Sequence, residues 1–286
     1  MMSEKNRFLE FIKKVSQNRL ALLGMIVVVL FVCLAILAPV IAQFDPNKID
    51  TTQAFLGPGK GGHLLGTDNY GRDLLARMLF GARISLIVGV GAVAIGGTIG
   101  IVLGLVAGYF GGLIDSAIMR VMDALFAFPF ILLAITLMTV LGSGLMNVIV
   151  AIAVGNIPGF ARMIRGQVLS VKEEDYVEVT ESLGATHSRI LFLHILPNCL
   201  TPIIVYATMN VAGAIISEAA LSFLGLGIQP PQASWGNMLK EGKDFLIVSP
   251  HIAIISGLGI LLSVLGLNLF GDGLRDALDP RNNRSK

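Results

Sequence analysis

The sequence predicts an all-α integral membrane protein with six transmembrane helices, and three observations carry that prediction. The 286 residues are 54% hydrophobic and 14% charged, with a mean hydropathy of +0.78, whereas a soluble domain carries about 25% charged residues. Five runs contain no Asp, Glu, Lys or Arg, at 20–44, 84–114, 124–161, 190–217 and 245–271. Each is long enough for the roughly 20 apolar residues a spanning helix needs. Lys and Arg concentrate in alternate connections, as the positive-inside bias of membrane proteins requires.

The first element is a basic start, 1–19, in which Phe8, Phe11, Ile12 and Val15 recur at helical spacing among Lys5, Lys13 and Lys14. It reads as an amphipathic tail lying on membrane lipid at the cytoplasmic leaflet, or as a solvated start. The first span, 20–42, is longer than the ~7–15-residue apolar core of a signal peptide and is expected to stay in the membrane. Residues 43–83 then form an extracytoplasmic segment. Gly and Pro as far as Gly62 predict a loop, and Thr67 as an N-cap ahead of Leu74, Leu75, Met78 and Leu79 predicts a helix lying at the outer surface.

Residues 84–271 hold the other five spans. The second has glycines at Gly96, Gly100, Gly104, Gly108 and Gly112, a four-residue spacing that bares one face for close helix approach, with a partner in this chain or in another. The 124–161 run is too long for one crossing, so a break at Gly142–Gly144 divides helices at about 116–141 and 145–164. Arg120 and Asp123 stand three apart on the third span and are placed to pair with each other. Residues 272–286 form a second short tail. With both ends inside, the cytoplasmic segments hold fourteen of the 21 Lys and Arg. This N-in, C-in topology puts a charged segment at about 165–197 in the cytoplasm.

Several chemistries are excluded. A net charge of +2 without a dense basic run offers no footprint for nucleic acid. Cys33 and Cys199 stand apart, and His63, His187, His194 and His251 match no zinc spacing, so no disulfide framework or metal site is expected. The stretch "GPGKGG" at 57–62 lacks the Ser or Thr after the lysine that a phosphate loop needs. With no GxSxG, HExxH or paired catalytic carboxylates, the chain is read as non-catalytic. A secondary carrier would show paired inverted repeats, and none is evident.

Two residues are candidates for the pathway or a gate. Glu218, isolated near the outer end of the fifth span, either faces a cavity or partner helix or sits hydrated at the interface. Trp235, in the last outer loop, either gates the pathway or anchors at the interface, where Trp is enriched.

The charged segment contains "YVEVTESLGATHSRILFLHILPN", residues 176–198. Good helix formers run up to Gly184, where the chain can turn, and a second helical stretch from about Thr186 ends before Pro197. Two short helices joined at a glycine make a projecting knob, either a docking element or a solvated loop.

This passage resembles the signature cytoplasmic loop of binding-protein-dependent ABC importer permeases, Glu-Ala-Ala, three residues, Gly, nine residues, Ile, one residue, Leu-Pro. Glu178, Gly184, Leu196 and Pro197 fall at the matching positions. Val179 and Thr180 replace the alanines, and His194 stands at the Ile position with Ile195 beside it. "HLLGTDNYGRDLLARMLFGARISL" at 63–86, "ALSFLGLGIQPPQASWGNML" at 220–239 and "FGDGLRDALDP" at 270–280 resemble the shorter permease subunit of the dipeptide, oligopeptide and nickel branch.

The resemblance implies a type I ABC importer permease architecture in a bacterial or archaeal cell membrane. It implies a second homologous permease subunit, two cytoplasmic ATP-binding subunits that hold ATP and Mg2+, and an extracytoplasmic substrate-binding protein, with no cofactor on this chain. Carried onto this sequence, Glu178, Ser182, Leu183, Gly184 and Ala185 form the ATPase-coupling knob, and Leu196 and Pro197 anchor its return to the membrane. Peptides are the favoured cargo over nickel or a metal chelate.

Overall fold

The computed structural model describes residues 18–278. The amphipathic tail around Phe8 to Val15, and the last residues from 279 onward, lie outside that range. No strand occurs among the described residues. The helices are α1 (Arg19–Ile41), α2 (Leu74–Phe110), α3 (Gly112–Phe126), α4 (Phe130–Leu141), α5 (Leu145–Lys172), α6 (Asp175–Ser182), α7 (His187–Phe223), α8 (Trp235–Lys243) and α9 (His251–Leu278).

Five of these, α1, α2, α5, α7 and α9, are long and apolar enough to cross a membrane, and α3 with α4 makes a sixth crossing bent by 87°. The chain alternates between two ends. One carries the segment 43–73 and α8; the other carries α6. Asn18, just before α1, donates to Asp276 at 3.2 Å, so both termini of the described chain meet at the α6 end.

Three sequence expectations change here. The surface helix and the second span are one helix: α2 runs 37 residues from Leu74 without a break, about 55 Å at 1.5 Å per residue. Its N-cap is Asp73, whose carboxylate accepts from Ala76 N at 2.7 Å. Thr67 instead sits buried in the preceding loop, donating to Gln53 O at 2.5 Å and accepting from Leu56 N at 2.9 Å. The helix expected at 116–141 is broken at Ala127–Pro129, because Pro129 lacks an N–H and forces Phe128 out of helical geometry. Nor does Pro197 end a helix. The turn ahead of it widens into a π segment, Ile190–Ile195, with Leu196 N bonded to Leu191 O, and α7 continues to Phe223. The wider turn accommodates the proline ring where an α-turn would clash.

The tightest seam is between α2 and α5. A methyl group built on Gly100 would lie 2.7 Å from Ile157 O, one on Gly104 2.5 Å from Ala161 O, and one on Gly108 2.8 Å from the Val168 Cβ. Gly96 faces the Ala153 backbone in the same way. These glycines let two backbones touch, and the partner is within this chain. Gly112 does not belong to the row: it lies past the end of α2 at φ +55°, with open space around it.

Candidate functional site

The α6 end is built around a small apolar cluster. Leu105 and Tyr109 of α2, Ile164 and Val168 of α5, Val177 of α6, and Ile190, Leu191, Ile195 and Cys199 of α7 pack together. Val177 is the one buried residue of α6, so a single apolar side chain plugs that helix into the ends of three spans. Polar contacts close the cluster. Tyr109 Oη pairs with His187 Nδ1 at 2.8 Å, Lys172 donates to Tyr109 O at 2.8 Å, and Asn198 donates to the Tyr176 hydroxyl at 2.9 Å. Burial, with Glu174 nearby, pushes the Tyr176 phenol up from its ordinary range.

The outer face of the same segment is bare. Leu183 is 83% exposed and Val179 57%, and Glu178, Ser182 and Gly184 are exposed with them. Gly184 has φ +79° and nothing within 4 Å of a built Cβ, so the left-handed backbone, not crowding, calls for glycine. Ala185 is half-buried against the apolar cluster. Leu196 packs partly on it too, while Pro197 is exposed. The knob residues named from sequence therefore divide into an exposed tip, Glu178 to Gly184, and a seated return, Ala185 and Leu196.

The opposite end is a folded cap, not a loose loop. Asp68, Arg72, Asp73, Arg77 and His63 are all buried. Arg72 bonds Asp68 at 2.6 Å and Glu241 of α8 at 2.6 Å, and Arg77 donates to Pro46 O at 3.1 Å. His63 is bonded at both ring nitrogens, to Asp73 at 2.8 Å and Gln53 at 2.9 Å. Gly71 takes φ +73° with Asp50 O pressed against it, which leaves no room for a side chain. The "GTDNYGRD" stretch is thus the framework that locks the cap onto α2 and α8. At Asp50, the Thr52 hydroxyl holds the carboxyl below its usual range.

Glu218 and Trp235 are both turned toward other helices of the chain. Glu218 is fully buried; its carboxylate accepts from Ser222 at 2.7 Å and from Ser85 of α2 at 3.4 Å. Trp235 is also buried, donates to Met78 O at 3.0 Å, and stacks 5.3 Å from Phe31 of α1. Gly81 and Gly259 make room for its indole. Both residues fasten helices together, and Trp235 also lines a cavity of about 280 Å³ with Phe31, Met78 and Gly259. Of the settings open to Glu218, the structure has the partner helix, α2; the contacts of Trp235 with α1 and α2 had no sign in its local sequence.

Asp123 pairs with Arg162 of α5 at 2.6 Å, and not with Arg120. Arg165 grips Asp115 with two bonds, 2.5 and 2.6 Å. The bend at Ala127–Pro129 sets α3 alongside α5, where these longer-range partners stand. Sequence spacing within one helix gave no sign of them.

A cavity of about 350 Å³ opens at the same bend, lined by Phe126, Phe128 and Phe130, by Asn156 of α5, and by Tyr206 and Asn210 of α7. Sequence reading named none of these residues, although Pro129 in an apolar run marked the break that creates the cavity.

A model of the family described as "binding-protein-dependent transport system inner membrane component" matches residues 100–284. The chain belongs to this family. A second model, the N-terminal transmembrane domain of oligopeptide transport permease C, matches residues 7–58. The chain is 45% identical to a glutathione transport system permease protein of Pectobacterium atrosepticum, over 95% of this chain and 90% of that one. It is 44% identical to a dipeptide transport system permease protein of Alkalihalophilus pseudofirmus, over 95% and 89%. A glutathione transport system permease protein of Shigella sonnei is 48% identical over 95% and 90%.

Among solved structures, an amino acid ABC transporter crystallised with histidines matches with a TM-score of 0.54 at 16% identity, over 70% of this chain and 92% of that one. A methionine ABC transporter matches at 0.50 and 21%, over 68% and 95%. These two establish the fold alone: this is the ABC importer permease fold, in a multi-pass inner-membrane protein.

Proposed function

We propose that this chain is the permease subunit of an ATP-driven, binding-protein-dependent importer of di- or oligopeptides, and that α6 is its coupling helix. The observation that carries the reading is the two-faced α6 segment. An exposed tip at Val179, Leu183 and Gly184 offers a contact surface, while Val177 seats it in a cluster shared by α2, α5 and α7. A push on the tip therefore acts on three spans together.

The α6 end is cytoplasmic in this reading, and the cap of residues 43–73 faces outward toward a substrate-binding protein. The partners are a second homologous permease and two ATP-binding subunits, which hold ATP and Mg2+ and carry out hydrolysis. ATP binding draws the two ATPases together, the coupling helices move with them, and the permease pair opens outward; hydrolysis resets it. Each state needs a distinct set of contacts for ATP to shift the balance, and the exposed tip supplies one side of them.

Peptide cargo is supported by the relatives, whose names specify glutathione, a tripeptide, and dipeptides. Nickel has less to recommend it: His63, the outer histidine, already spends both ring nitrogens on Asp73 and Gln53.

The test is uptake of a labelled peptide by cells carrying Gly184→Pro or Ala185→Trp. Uptake is expected to vanish while the chain stays in the membrane and co-purifies with its sister permease. Normal uptake by either variant would remove α6 from the coupling role.

A further inference from the structure

We propose that the cavity at the α3–α4 bend is a transit subsite that holds a backbone amide of the cargo peptide as it crosses; the proposal rests on the peptide-importer reading above. The cavity is deep in the membrane. Asn156 lies about 16 Å below the cap-side end of α5, and Asn210 about 20 Å below that of α7, at 1.5 Å per residue. Half the hydrocarbon thickness is about 15 Å. Polar side chains and broken backbone are tolerated at that depth only where they are buried in protein or line an aqueous cavity.

This site has both. Asn156 is half-buried, and its shielded Nδ2 has no hydrogen-bond partner. The last carbonyls of α3 are left without intrahelical donors by the break, and no side chain caps the start of α4. Asn210 spends one N–H of its amide on Tyr206 O at 2.8 Å, which leaves its second N–H and its side-chain carbonyl. Two carboxamide side chains, from α5 and α7, therefore line one space beside a broken backbone.

The lining also says what belongs there. It contains no Asp, Glu, Lys or Arg, so a free terminus or a charged side chain finds no counter-ion. A peptide unit is neutral, planar and both donor and acceptor, and a carboxamide such as Asn156 is its complement. Phe126 and Phe128, 59% and 60% exposed, give the walls apolar faces that take side chains of many kinds. A volume of about 350 Å³ falls at the small end of the roughly 300–1,000 Å³ of ligand pockets, enough for a short stretch of chain. Recognition by backbone is what a carrier of peptides with varied side chains needs.

The experiment uses the whole importer, with its sister permease, ATPases and binding protein, reconstituted in liposomes. A labelled tripeptide is the cargo, and uptake per ATP hydrolysed is the number read, because it does not depend on how much complex assembles. Asn156→Leu is expected to lower that ratio about tenfold, the loss expected from one or two hydrogen bonds of ordinary strength, and Asn210→Leu to lower it in the same direction. The binding protein's affinity for the tripeptide is expected to stay unchanged. A ratio within twofold of wild type in both variants overturns the subsite and leaves the importer reading standing. A wild-type complex that takes up no peptide but does take up a different cargo overturns both.

Discussion

A single methyl group at Gly104 tests whether α2 and α5 are held together as closely as they stand. A Cβ built there lies 2.5 Å from Ala161 O and 2.9 Å from the Ile164 Cβ. Ordinary van der Waals contact begins near 3.4 Å, so Gly104→Ala requires the two helices to part locally by about 0.9 Å. The obstruction is backbone, which has no rotamer to swing away. Overpacking of this kind costs about 1–3 kcal/mol, and the helix preference of Ala over Gly returns about 0.5–1 kcal/mol. The net loss is on the order of 1–2 kcal/mol. Gly213→Ala is the matched control, since nothing lies within 4 Å of its built Cβ; it keeps the propensity gain and escapes the clash. The assay is thermal denaturation of the isolated chain in detergent, followed by the fraction that remains monodisperse. Gly104→Ala is expected to melt several degrees below Gly213→Ala. Equal melting temperatures would refute the backbone contact and with it the account of the glycine row.

Three further outcomes follow from buried groups. Trp235→Ala empties the space between Gly81 and Gly259 and gives up the bond to Met78 O, so stability is expected to fall by about 3–5 kcal/mol, seen as loss of the folded chain from mild detergent. Arg72→Met leaves the carboxylates of Asp68 and Glu241 short of a cation they bond at 2.6 Å; about 3 kcal/mol is expected to go, with faster proteolysis of residues 43–73 as the local readout. Glu218→Gln keeps an acceptor for one of the two serines and offers its NH2 to the hydroxyl oxygen of the other, so it is expected to stay within about 1 kcal/mol of wild type, while Glu218→Ala strands both hydroxyls and costs about 2–3 kcal/mol. If the Gln variant is as unstable as the Ala variant, the charge itself is needed.

What could be read from sequence was whatever depends on local composition. The spans were visible because each must be apolar along its own length, and the Gly96 to Gly108 face was visible because a four-residue period puts those positions on one side of a helix. The knob was visible at Gly184 for the same reason: one residue, one backbone conformation. Long-range partners were not. Arg162 lies 39 positions from Asp123, and Glu241 lies 169 positions from Arg72; no period links such pairs. For Glu218 and Trp235 the sequence left alternatives open for a related reason, since the partners that seat them, Ser85 and Met78, lie 133 and 157 positions away. The start of α2 was misjudged because Thr67 and Asp73 are both good caps, and only the fold of the cap decides between them.

That correction to α2 bears on how rigidly the two ends of the chain are joined. A surface helix followed by a separate span would leave a flexible joint between the cap and the membrane. The unbroken α2 leaves none. At one end Tyr109 bonds His187 beside α6; at the other, Arg77 lies within the buried charges that tie the cap to Glu241. Between them the glycine row locks α2 to α5 along four turns, and tight backbone contact resists sliding better than flexible side chains do. The bent pair α3–α4 is built differently, with Met122, Ala134 and Met138 as its buried residues and a proline at its centre. The chain thus joins a stiff lever reaching both ends to an arm packed lightly enough to be displaced. The cavity at the arm's bend lies where the two meet, and if α6 is the coupling helix proposed above, a movement entering there reaches the cavity through α5, the helix that carries Asn156.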